Sequence, residues 1–217
     1  MLIEQVALHS SPMRDALRAH TDAAHTRLHQ HSCFVALFDK TLGLEEYRQL
    51  MRRMHGFYVP LDRAVERVLA ETTADPSGYR YARRSGHLQQ DLSDLGFSPQ
   101  DIRENPHCEQ VARLVSPATL GGVLYVIEGA TLGGTGIDRA AQKLMGKEDP
   151  VGRRYWAWCR AVNKRRWAMT LNYLDHLDRN GVSMSDLTTG AYDTFGALAD
   201  WLAPLDRAAA HSEMRLS

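Results

Sequence analysis

Apolar positions along this chain recur with the period of a helix almost everywhere, and no segment alternates apolar and polar residues over a strand's length. Over residues 13–30, Leu17, Thr21, Ala24, His25 and Leu28 share one face, while Arg14, Arg18, Asp22 and Arg27 lie elsewhere. Over residues 44–71 the stripe is Tyr47, Leu50, Met51, Met54, Tyr58, Leu61, Val65 and Val68. Pro60 falls inside it and predicts a kink or a division of the helix. Pro76 and Gly78 make residues 72–78 a loop, and shorter helices are predicted at 80–95, 99–104 and 108–114. Three long helices follow, at 119–147, 152–180 and 183–211. The last opens on the Ser-x-x-acid form of a capping box, Ser183 to Asp186. The pattern predicts an all-α, single-domain helical bundle over residues 1–217, with 1–12 a flexible N-terminal segment.

Composition sets limits on function. The 217 residues carry 26 basic and 26 acidic side chains, a formal net charge of zero. No global field therefore draws the chain to nucleic acid or an anionic membrane. The apolar run Val123 to Ile127 is too short to span a bilayer, and residues 1–14 show no secretory leader. Cys33, Cys108 and Cys159 are odd in number and widely spaced, which predicts small buried hydrophobes in a cytoplasmic protein.

Ten histidines make metal or cofactor chemistry the first question. His25, on the inner stripe of the first helix, can ligate iron or another transition metal through one ring nitrogen. It can equally be a core histidine bonded to a backbone carbonyl. His25 and His29 are four apart and could grip one ion from one helix face, yet no third and fourth ligand stands at readable spacing. The acid-x-x-His pattern of a di-iron bundle fits once, at Asp22 and His25. Its second copy, Glu104 to His107, is interrupted by Pro106.

The run from Leu124 to Arg139 holds Gly129, Gly133, Gly134 and Gly136 in a segment that otherwise reads as helix. Each costs about 1 kcal/mol relative to alanine there, so something must offset about 4 kcal/mol. A P-loop is excluded, because Thr135 and Gly136 stand where Lys-Ser/Thr should follow. Two readings remain: close helix–helix packing, or bare backbone laid against a large planar ligand. Between Val151 and Leu174 lie Arg153, Arg154, Arg160, Lys164, Arg165 and Arg166 with no acid at all. That stretch is either a helix face paired with acids on its neighbours, or a site for carboxylates or an acidic protein.

Together these motifs resemble the haem oxygenase family. The first helix, Leu17 to His29, resembles the family's N-terminal helix, with Thr21 and His25 at matching positions and His25 at that of the iron ligand. Gly56 to Leu61, around Tyr58, resembles a second family segment, and Gly129, Gly133 and Gly134 match the distal helix. The resemblance implies haem b as substrate and cofactor, opened by dioxygen and electrons to biliverdin, carbon monoxide and iron. It implies that Gly129 and Gly133 leave room for dioxygen, and that Arg18 and Arg166 pair with the propionates. Thr21, Tyr58, Tyr125, Gly134 and Phe195 are the remaining haem contacts it implies. A ferredoxin-like or flavoprotein donor is the implied redox partner. Ala130 departs from the aspartate most members carry, and Asp22 from a lysine found in relatives. Glu128-Gly129-Ala130 before Leu132-Gly133-Gly134 is similar to the branch that supplies bacteriophytochromes. A haem carrier or sensor without turnover is the rival expectation, and a bundle binding another small molecule is a third.

Overall fold

In a computed structural model describing residues 12–71 and 77–213, every regular element is helical. The predicted loop at 72–78 lies mostly outside the described residues, and the N-terminal segment 1–12 almost entirely. The chain runs α1 (Pro12–His29), α2 (Ser32–Asp39), α3 (Leu44–Glu71), α4 (Ser85–Asp94), α5 (Pro99–Arg103), α6 (Glu109–Arg113), α7 (Leu120–Met145), α8 (Arg154–Arg179) and α9 (Met184–Glu213). The apolar α7 lies at the centre, packed on α8 and α9, while α1 lies on α9 and α3 packs on α4, α6 and α9. By length and composition α7 would pass for a membrane span. Most of its apolar first half, from Leu120 to Ile127, is instead buried in the bundle, the normal place for such a helix.

All eight stripe residues named for α3 are buried. The helix continues through Pro60, so the proline does not divide it. Proline has no N–H for the carbonyl of Gly56, four residues earlier. That carbonyl instead accepts the N–H of Cys108 at 3.0 Å. The loop before α6 is drawn in so closely that a Cβ on Gly56 would stand 2.2 Å from the Pro106 carbonyl oxygen.

Other boundaries differ for similar tertiary reasons. Helix α4 begins at Ser85 rather than Arg80. Here Asp62, reaching from α3, accepts the N–H groups of Arg84 (3.0 Å) and Ser85 (2.8 Å) and takes the place of a local cap. Asp91 does the same for α8, accepting from the N–H groups of Arg154 and Tyr155. Helix α2 has no counterpart in the periodicity. It spans only eight residues, its N-cap is His31, and it stops at Lys40, a non-glycine residue with φ 63°.

Where α7 crosses α9, a Cβ on Gly122 would lie 1.9 Å from the Leu187 carbonyl oxygen, and one on Gly190 2.4 Å from that of Thr119. Small residues on both helices hold this crossing close and bring α7 to the wall of the cavity described next.

Candidate active site

The apolar stripe of α1 is buried only in its first half. Leu17 and Thr21 are packed away, whereas His25 is exposed. The second half instead faces a cavity of about 550 Å³, within the roughly 300–1,000 Å³ typical of ligand pockets. Helix α1 supplies Arg18, Thr21, Asp22, His25, Leu28 and His29 to its wall, and α7 supplies Tyr125, Gly129, Ala130, Leu132 and Gly133. Tyr58 from α3, Tyr155 and Trp167 from α8, and Phe195 from α9 are among its aromatic lining residues. Phe38 and Leu132 are large apolar side chains left exposed at this cavity.

His25 stands edge-on to Phe195, ring centroids 5.9 Å apart, and its Nε2 lies 3.0 Å from Nε2 of His29. Partial burial lowers its pKa, and the neighbouring imidazole lowers it further. The neutral ring that a metal requires is therefore the favoured form near pH 7. Arg18 is exposed, lines the cavity and makes no ion pair among the described residues. Thr21 donates its hydroxyl to the Leu17 carbonyl at 2.7 Å. Tyr155 donates to the Tyr58 hydroxyl at 3.1 Å. Burial pushes the Tyr58 phenol up to about 12 and Tyr155 well above its ordinary range, so both keep their protons.

The glycine run divides between its two readings. A Cβ on Gly134 would lie 2.4 Å from the Cβ of Cys159, so Gly134 serves the α7–α8 contact and does not line the cavity. The haem contact expected of Gly134 is corrected accordingly. A Cβ on Gly129 would touch Trp167 at an ordinary 3.5 Å, and one on Gly133 would find only Ile137, at 4.0 Å. Packing does not require these two to be bare. They line the cavity, where space is left for a ligand.

Arg166 is also placed elsewhere than expected. It is buried and does not line the cavity, with Nε bonded to Glu128 Oε2 at 2.7 Å and a second nitrogen to Oε1 at 2.5 Å. The expected propionate contact is therefore corrected: this guanidinium is already committed to a carboxylate. Arg84 adds a second cation 2.9 Å from Glu128, and the Tyr79 hydroxyl a 2.6 Å bond. Burial alone would raise the pKa of Glu128, but Arg84, Arg166 and Tyr79 outweigh it and bring it down to about 2. The rest of the basic stretch follows the same rule. Arg153 and Arg160 pair with Asp138, and Arg154 with Asp94. Lys164 and Arg165 are exposed and make no ion pair among the described residues. The sequence offered one signal of this network, an acid, Glu128, set in the apolar first half of α7.

The family model described as "Heme oxygenase" matches residues 11–203. A haem oxygenase of Xanthomonas campestris pv. campestris (strain 8004) is 32% identical over 143 residues, 60% of this chain and 79% of that protein. The crystal structure of haem oxygenase-1 from the cyanobacterium Synechocystis sp. PCC 6803, in complex with haem, aligns at TM-score 0.71 and 18% identity, covering 94% of this chain and 99% of that one. Haem oxygenase from Leptospira interrogans aligns at TM-score 0.70 and 16% identity, over 89% and 100% of the two chains. An all-α bundle whose cavity sets an imidazole on α1 and bare backbone on α7 thus belongs to the haem oxygenase family, oxidoreductases that open haem.

Proposed function

We propose that this single helical domain binds haem b in the cavity between α1 and α7 and converts it to biliverdin, with His25 as the iron ligand. The observation that carries the reading is the pairing of His25 with two glycines, Gly129 and Gly133, that packing leaves free to be larger. The residues fit the group: the lining is largely apolar, His25 favours its neutral form, and Arg18 on the wall makes no ion pair among the described residues. When bound, haem supplies the iron that activates dioxygen and the ring that is oxidised, with carbon monoxide and iron released.

The chain's own part is to hold and orient. Arg18 meets a propionate as a charge-assisted pair. Thr21, Tyr125 and Phe195 fix the α1 side, and Tyr58 stands beside the ring. With Ala130 in place of an acid, water and backbone groups carry protons, and the protonated Tyr58 and Tyr155 hydroxyls are hydrogen-bonding groups of the same cavity on the α3–α8 side. Lys164 and Arg165, with the half-exposed Arg160 nearby, form the basic surface for an acidic ferredoxin-like or flavoprotein donor. Three free, buried cysteines suit a cytoplasmic setting. The glycine-run resemblance supports supply of biliverdin to a bacteriophytochrome. Ala130 is also the one feature that favours a carrier or sensor without turnover.

Hemin added to the purified protein should give a strong histidine-ligated spectrum that is lost in His25→Ala. With reductant and oxygen, biliverdin should appear. Haem that persists intact under those conditions would leave the carrier, and absence of the spectrum would sink both.

A further inference from the structure

His25 and His29 line the same cavity from successive turns of α1, and the two nitrogens that approach each other are both Nε2, 3.0 Å apart. A metal ion bound by two imidazoles at about 2.0–2.1 Å, with an angle between tetrahedral and right, spans nitrogens about 2.9–3.4 Å apart. The pair therefore already has the separation of a two-point chelate, with the rings tilted by 57° and centroids 4.3 Å apart. Both rings project from a well-formed helix, so the chelate needs no backbone rearrangement. Asp22, one turn before His25, lines the same wall and acts on the His25 charge, which favours a cation.

We propose that the haem-free protein binds one divalent transition metal ion (zinc, nickel or copper) through Nε2 of His25 and Nε2 of His29. Among the described residues no cluster of three or more histidine, cysteine or acidic groups occurs, so the remaining positions fall to water from the cavity. Imidazole pairs suit these ions, with copper and nickel bound more tightly than earlier metals. The binding displaces the hydrogen bond between the rings and any shared proton with it. Occupying Nε2 of His25 removes it from the haem iron, so metal and haem exclude each other. That exclusion rests on the haem ligation proposed above, whereas the chelate itself does not.

Titration calorimetry of the haem-free full chain with nickel chloride, and the visible spectrum with cobalt chloride, test the chelate directly. One ion per chain should bind to the wild type, and His29→Ala should lose that binding. In a second arm, zinc at ten times its dissociation constant should weaken hemin binding by the wild type about tenfold and leave His29→Ala unaffected. Equal metal binding by wild type and His29→Ala, or no binding to the wild type, overturns the proposal. Normal nickel binding with no hemin spectrum in metal-free buffer would instead fault the haem reading and leave the chelate standing.

Discussion

Replacing Glu128 with alanine is expected to remove about 3–5 kcal/mol of stability, the range for breaking a buried ion pair by deleting one partner. The cost arises from what is left behind. Arg84 is fully buried and Arg166 nearly so, and both point at this one carboxylate. Without it two guanidinium groups stay charged in a site closed to water, with the Arg84 Nε already lacking a partner among the described residues. For a chain of this size each kcal/mol shifts the melting temperature by about 2–4 °C, so the loss should be about 10 °C. Thermal and urea unfolding followed by circular dichroism measure it. Tyr79→Phe, which removes one hydroxyl that donates to Glu128 and accepts from Arg166, should cost less, about 1.5–3 kcal/mol. A Glu128→Ala protein as stable as Tyr79→Phe would show that water or repacking satisfies the arginines.

The same carboxylate fixes a pH dependence. Its pKa is about 2 in the fold against an ordinary 4.5, so the unfolded chain takes up its proton first as the solution is acidified. The stabilisation is fully present above pH 4.5 and is lost as pH falls from there towards 2. Acid unfolding should therefore be steeper in the wild type than in Glu128→Ala between those limits.

What could be read in the sequence was what repeats locally. The α3 stripe gave its core positions because a 28-residue amphipathic helix reports its own period over seven turns. His25 could be placed on the first helix, and Gly129 and Gly133 on one face of another, by the same reasoning. The basic stretch was legible only as two alternatives, because the acids that pair with most of it come from elsewhere in the chain: Glu128 and Asp138 from α7, Asp94 from α4. A run of one sign says nothing about partners that only folding supplies. The starts of α4 and α8 were displaced likewise, since Asp62 and Asp91 cap them from other helices. Spacing could not divide the glycines either, because packing against a helix and lying against a ligand both ask for small residues one turn apart.

The glycines therefore give the second large effect, and it takes opposite forms on the two sides of α7. Alanine at Gly122 would place its Cβ 1.9 Å from the Leu187 carbonyl oxygen and 2.7 Å from the Ala191 nitrogen, both backbone atoms that cannot rotate away. The helices must separate, and the loss should exceed the roughly 1–3 kcal/mol of ordinary overpacking. Gly134→Ala meets the Cβ of Cys159 at 2.4 Å and should fall within that range. Gly133→Ala meets nothing closer than 4.0 Å, so alanine's better helix propensity should make the haem-free protein more stable by up to about 1 kcal/mol. If bare backbone at Gly133 serves the ligand, the same substitution should weaken hemin binding or alter its spectrum while the fold gains. Unfolding curves of the haem-free variants and hemin titrations of Gly133→Ala separate the two roles. A Gly133→Ala protein that gains stability and binds hemin as the wild type does would mean that the glycine is not kept for haem. A loss of both would return it to the packing of α7.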